Sequence, residues 1–175
     1  MTYYFTSDWH LGHVNILKYS KRPFSSIEEM NNTIINNFNS IVKKEDVVYF
    51  LGDFFYAYKE KTHLNGHWNF IKGNHDKNYP PSNITFDSFN LQKTYVDLNI
   101  YNQKITICHY PMQAYNCSHF NAWMLYGHIH NDASNIIQGK KMNVGVDNNN
   151  FYPINFEQIQ QYMNQRENNW DFIYK

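Results

Sequence analysis

The sequence predicts an α/β fold in which mixed sheets are flanked by helices. Three observations point there. Short β-branched and aromatic runs recur along the chain, each bounded by Gly, Asn, Asp or Pro. Two longer stretches carry apolar residues at helical spacing. Strands alternate with helices at first and then succeed one another, the pattern of a mixed sheet system with helices beside it.

The first strand is Tyr3 to Thr6, followed by a short helix within Leu11 to Ser20. Ser26-Ile27-Glu28-Glu29 has the form of a capping box, with Ser26 as N-cap and Glu29 reaching back. Ile27, Met30, Ile34, Phe38 and Ile41 then make the apolar stripe of a helix. Further strands are expected at Val47 to Leu51, Trp68 to Ile71, Thr94 to Ile100, Lys104 to Cys108 and Trp123 to Tyr126. A last run, Ile136 to Val146, turns near Gly139. A closing helix begins near Asn155, with Phe156, Ile159 and Met163 on one face. With no internal repeat and no linker, the 175 residues are expected to form a single domain over 1–175.

Composition narrows the partners. Acidic and basic residues number 15 each, for a formal net charge of +0. No global basic field is there to draw a membrane surface or long nucleic acid, so neither is an expected partner. Two cysteines, Cys108 and Cys117, are too few for a disulfide framework. No run approaches the ~20 apolar residues of a membrane span, and the opening MTYYFTSDWH reads as a strand, not a secretory signal. A reducing, cytoplasmic setting is the simplest expectation. The abundant asparagine, as in VDNNN, is given no function, and nothing in the sequence speaks to oligomeric state.

The residues just past each strand carry the chemistry. The first strand ends in Ser7-Asp8-Trp9-His10, the second in Gly52-Asp53 and the third in Gly73-Asn74-His75-Asp76. Later ones end in His109-Tyr110 and Gly127-His128-Ile129-His130. Ligands of open α/β sheets bind outside the carboxyl ends of the strands. Asp8 and His10 are two apart, as are His128 and His130, so in extended backbone each pair should face one centre. Carboxylate, amide and imidazole suit borderline divalent cations such as Mn, Fe, Ni and Zn, and no thiolate joins the set. Without His75 the candidates still outnumber the ~4 ligands of one tetrahedral ion. Two ions sharing a carboxylate fit better, an arrangement suited to displacement at phosphorus.

The five blocks, in this order, resemble the signature of the calcineurin-like metallophosphoesterases: D-x-H, G-D, G-N-H-D/E, a lone H, and G-H-x-H. The resemblance spans most of the chain. It implies a four-layer α/β/β/α sandwich of two mixed sheets between helices. It also implies that Asp8, His10, Asp53 and His130 hold one ion, and Asp53, Asn74, His109 and His128 a second, with Asp53 bridging. His75 would face the substrate and protonate the leaving oxygen. The expected chemistry is in-line attack by a water activated between two divalent transition-metal ions, Mn first among the candidates, with no covalent enzyme intermediate.

Departures from the signature narrow the substrate. The protein-phosphatase extension G-D-x-V-D-R-G is absent, since Gly52-Asp53 runs on as Phe54-Phe55-Tyr56. Little room is expected for the DNA-binding cap of the longer nucleases, and the Asp-Trp-His-Leu-Gly-His-Val-Asn opening resembles small bacterial and phage members. A small, nucleotide-like phosphodiester is the expected substrate. The alternatives are a small phosphomonoester or, in another class, a catalytically silent binding scaffold. His13, Asn15 and Arg22 near the first block are candidate substrate contacts, with Arg22 alternatively a salt-bridged anchor. Tyr56 is a candidate base platform, with Trp9 and Tyr58 beside it. His63, His67 and His119 read as structural.

Overall fold

The structure is a computed structural model and describes residues 1–77, 81–130 and 138–169. Among the described residues, two mixed sheets, three α-helices and a short 3-10 turn at Val146–Asn148 make up the framework. The first sheet contains β1 (Tyr3–Thr6), β2 (Val47–Phe50), β3 (Thr62–Phe70), β4 (Ile84–Leu91) and β9 (Ile154–Asn155), in the order β4-β3-β2-β1-β9. Only β9 runs antiparallel to its neighbour. The second contains β5 (Tyr95–Ile100), β6 (Gln103–Cys108), β7 (Trp123–Tyr126) and β8 (Lys141–Asn143), in the order β5-β6-β7-β8. There β5 and β6 are antiparallel and the remaining pairs parallel. The helices are α1 (Ile16–Tyr19), α2 (Ile27–Ile41) and α3 (Phe156–Met163).

Register matters most for the site. Thr6 pairs with Phe50, and Phe50 with Phe70. Three parallel strands therefore end level, and the residues after them leave the sheet at one edge.

Alternation divides the side chains among three apolar clusters. Tyr4, Val48, Phe50, Trp68 and Phe70 pack on α2 through Met30, Ile34 and Phe38. The opposite-facing Phe5 and Leu51 meet Ile105, Ile107, Trp123 and Leu125 of the second sheet, with Phe156, Ile159 and Met163 of α3. Met124 and Tyr126 face outward under Tyr115 and Ala122. Turns within residues 112–122 cover this outer face where the resemblance implies a helical layer. Trp9 lies in the first cluster, fully buried among Phe38, Phe50, Phe54 and Trp68 at ring separations of 5.2–5.8 Å.

Several elements differ from the sequence expectation. β3 starts six residues earlier, at Thr62, because Leu64 and Trp68 alternate with polar residues on either side of a register shift at Gly66. Edge strand β4 and the two-residue β9 were not anticipated. β4 is half exposed, and β9 merges into the start of a helix. The first helix shrinks to four residues, since the chain before it turns through Gly12 at φ 79°. Of the run Ile136 to Val146, the described part forms strand β8, a bridge from Gly145 to Ser7 and the start of a 3-10 turn at Val146, and residues 136–137 lie outside the described residues. Ser26 caps α2 as expected, but the Glu29 carboxylate accepts from the backbone and hydroxyl of Ser25, one residue earlier. α3 has the complete reciprocal box, Asn155 with Gln158. Among the described residues no helix is long and apolar enough to cross a membrane.

Phe38 joins α2 to the Trp9–Trp68 cluster with no exposed surface. Phe38→Ala is expected to cost about 3–5 kcal/mol of stability, because a cavity is left under the helix. Urea unfolding with an unchanged m value would read it.

Candidate metal centre

The strand ends converge where the two sheets meet. Asp8, His10 and His130 each offer one donor atom, and these lie within 4.8 Å of one another. Asp53, His109 and His128 do the same. Asp53 stands between the groups: its Oδ2 is 3.5 Å from His10 Nε2 and 3.5 Å from His109 Nε2. Asn74 Oδ1 is 3.0 Å from His109 Nε2, which brings it to the second group.

The backbone that aims these side chains is unusual. Asp8, His10, Asp53 and His128 all have positive φ, at 59°, 53°, 60° and 70°. Non-glycine residues rarely adopt this conformation, and functional sites are where it concentrates. Asp8 and His10 do share a cluster, but through two left-handed residues and not an extended run. His128 and His130 separate into different clusters, so the expectation that this pair faces one centre is corrected. The left-handed turn at His128 sends its ring to Asp53 and His109.

Hydrogen bonds knit the loops. The Asp8 amide donates to Gly52 O and the His10 amide to Asp53 O. The His128 amide donates to the Asp8 carboxylate at 3.0 Å, joining the second sheet to the first. His109 Nδ1 does likewise with Leu51 O at 2.7 Å. Asp76 accepts from the amides of Asp53, Phe54 and Gly73 at 2.7, 2.9 and 2.8 Å. It thereby ties the Gly73–Asp76 loop to the Gly52–Asp53 loop. Gly73 and Gly127 make room for carboxylates: a Cβ on Gly73 would strike Asp53 Oδ1, and one on Gly127 would strike Ser7 Oγ and Asp8 Oδ2.

The electrostatics fit a cation. His10 Nε2 is buried with no hydrogen-bond partner among the described residues and faces the Asp53 carboxylate. With Nδ1 of His109 given to Leu51 O, its Nε2 can donate to Asn74 Oδ1 only while the ring is protonated. Burial pulls the His109 pKa down, but bonding and charge from Asp53 and the Asp8 charge outweigh it and the value is raised. A proton on that Nε2 would lie where the donor atoms of His109, Asp53 and Asn74 converge. Burial pushes Asp8 up to about 6 against the pull of His109 and His130, and pushes His10 down to about 2. Burial also pushes Asp53 upward, but His109 and the His75 amide overcome it and hold it at about 2. A cation would favour ionised carboxylates and neutral imidazoles at these positions.

A model of the calcineurin-like phosphoesterase family matches residues 1–174. The chain belongs to that family. Calcineurin-like phosphoesterases are metal-dependent phosphoester hydrolases that typically carry two divalent ions, in keeping with the two donor clusters. An uncharacterized protein of Methanocaldococcus jannaschii is 37% identical over 169 residues, which cover 89% of this chain and 88% of that protein. The crystal structure of a protein of unknown function from Aquifex aeolicus has a like fold, with a TM-score of 0.74 at 24% identity, covering 92% of this chain and 98% of that one.

The remaining sequence candidates divide. His75 lies outside both clusters, its side chain 40% exposed and its Nε2 3.9 Å from Asp53 Oδ2. His13 sits at the rim, with Nδ1 3.3 Å from His10 Nδ1 and its ring stacked on Tyr56 at 4.6 Å. Asn15 is exposed before α1 and its side chain makes no cap bond. Arg22 is corrected as a substrate contact: its side chain has no exposed surface and its guanidinium is engaged by Asp147 and two backbone carbonyls. This is the anchoring role weighed from sequence. Trp9 and Tyr58 are likewise corrected as base platforms, because both are packed into the core. Asp147 was missed. It comes after β8 and Gly145, so the strand-end rule applied to VDNNN would have found it.

Removing the Asp76 carboxylate strands the buried amides of Asp53 and Phe54, at about 1–3 kcal/mol each. Asp76→Ala should lower stability by at least ~2 kcal/mol in urea unfolding. An unchanged midpoint would mean that water replaces the carboxylate.

Proposed function

We propose that this chain is a dinuclear-metal-dependent phosphodiesterase acting on a small, nucleotide-like ester. The observation that carries the reading is Asp53, one carboxylate between two clusters of nitrogen and oxygen donors. Asp8, His10, Asp53 and His130 would hold one ion, and Asp53, Asn74, His109 and His128 the other. Mn suits this donor set, as do Fe, Ni and Zn. When bound, such ions neutralise the phosphoryl oxygens and lower the pKa of water.

The protein's own groups do the rest. His75 is exposed enough to meet substrate, and its backbone amide is tied to Asp53 Oδ1 at 2.9 Å. That tether keeps the imidazole beside the reacting phosphorus, where it delivers a proton to the leaving oxygen. His13, 6.0 Å from the His75 ring, approaches the ester from the rim.

Exposed aromatic rings flank the centre on both sides and support an ester with planar groups. Tyr56 is 60% exposed over His13. Tyr110 is 46% exposed and stands edge-on to His128 at 4.7 Å. Tyr56 thus remains a candidate platform and Tyr110 joins it in place of Trp9 and Tyr58, and stacking on such a ring is worth ~1–3 kcal/mol per base.

With Mn-loaded protein, bis(p-nitrophenyl) phosphate is expected to exceed p-nitrophenyl phosphate in kcat/KM, and chelation should abolish both activities. A strong preference for the monoester would make the chain a phosphomonoesterase using the same centre.

His75→Ala should keep its metal content and lose about 10²–10⁴-fold in rate on esters with alkoxide leaving groups. The loss should be smaller for nitrophenolate, which departs without a proton. Loss of metal from this variant would make His75 a ligand.

A further inference from the structure

The first cluster rests on a buried assembly with no part in the chemistry so far assigned. Arg22 Nε is 2.7 Å from Asp147 Oδ1 and Nη2 is 2.8 Å from Oδ2, a two-pronged pair. The Arg22 side chain is 0% exposed and that of Asp147 6%. Of the other guanidinium hydrogens, two go to backbone, Nη2 to Asp8 O at 2.6 Å and Nη1 to Trp9 O at 2.9 Å, and Nη1 also meets Met30 Sδ at 3.2 Å. Asp147 Oδ2 is also 2.9 Å from His130 Nδ1.

We propose that Arg22 and Asp147 act as one brace that positions the first cluster for its ion, Asp147 by orienting the His130 ring and Arg22 by locking the Asp8–Trp9 turn. The proposal rests on the reading of Asp8, His10 and His130 as a metal site.

Three features separate this from a mere salt bridge. A buried ion pair is a poor source of stability, since desolvation consumes most of its attraction. Each partner also bonds a part of the cluster: Arg22 the carbonyls of Asp8 and Trp9, within the turn whose Asp8 and His10 are left-handed, and Asp147 the ring of His130. Finally, the chemistry is directional. A carboxylate accepts at Nδ1, so that nitrogen carries the proton and Nε2 keeps its lone pair for the centre. Only a planar guanidinium could hold this carboxylate with one edge and reach two carbonyls with the rest.

In the second cluster His109 is held by Leu51 O and Asp53 by its link to the Asp76 loop, and the His128 amide meets the Asp8 carboxylate, not the carbonyl that Arg22 holds. Breaking the brace should therefore weaken one ion and spare the other. The brace also places the guanidinium beneath the Asp8–His10 loop, so its charge acts on the site from behind.

The test is a calorimetric Mn titration of metal-free wild type, Asp147→Ala, Asp147→Asn and Arg22→Lys. Wild type should take up two ions. Each variant should bind one of them about 10–100-fold more weakly and the other as before. Nitrogen NMR of histidine-labelled, metal-free wild type supplies a readout independent of how well the variants fold. His130 should be the Nδ1–H tautomer, and in a folded Asp147→Asn the tautomers should mix. Two ions bound with unchanged affinity in the variants, equal weakening of both ions, or an Nε2–H tautomer in wild type would overturn the brace. Failure of wild type to bind any ion would instead overturn the metal reading on which it rests.

Discussion

Among the hydrogen bonds that cross between the sheets at the strand ends, two tie the edges together through the site itself: the His128 amide onto the Asp8 carboxylate, and His109 Nδ1 onto Leu51 O. They fix how the edges of two independently ordered sheets meet. Each uses a group that also belongs to a donor cluster, so sheet docking and site assembly are one event. The level ends of β1, β2 and β3 set the height at which the loops leave, and left-handed residues turn the side chains inward within a single step. Strain of that kind persists only where surrounding bonds over-determine it. Asp76, Arg22 and the inter-loop amides supply that constraint here.

The concentration of buried charge is a consequence of this geometry. Asp8 and Asp53 lie a short reach apart with four imidazoles around them and almost no water contact. The protein alone settles the conflict unevenly. Asp8 is driven toward its neutral form, Asp53 stays ionised, and His109 is drawn toward its charged form. A pattern in which two like groups diverge this far marks a place built around a positive charge.

Much of this was legible because strand ends were punctuated by chemistry. Asp8, Asp53, Asn74, His109, His128 and His130 each come after a short apolar run, and the structure brings them together. Four things were not legible. The direction of a side chain beyond a strand depends on φ, and the extended-backbone rule misplaced the His128 and His130 pair. Burial of Trp9 and Tyr58 depends on which face of the first sheet receives α2, which spacing alone leaves open. The partner of Arg22 lies 125 positions away, and no local pattern joins Arg22 to Asp147. β4 escaped because an edge strand can be polar on its open side without losing its place.

Gly73 and Gly127 sit at ordinary, negative-φ or extended backbone, unlike Gly52 at φ 94°. Chain geometry does not require glycine at either position. What excludes a larger residue is Asp53 in one case, through both its carboxylate and its backbone nitrogen, and the side chains of Ser7 and Asp8 in the other. Both glycines are thus held by the walls of the site and not by their own torsions. A single methyl at either position would displace an acid of the centre, so a chain could keep every donor atom in its sequence and still lose the arrangement that makes them a site.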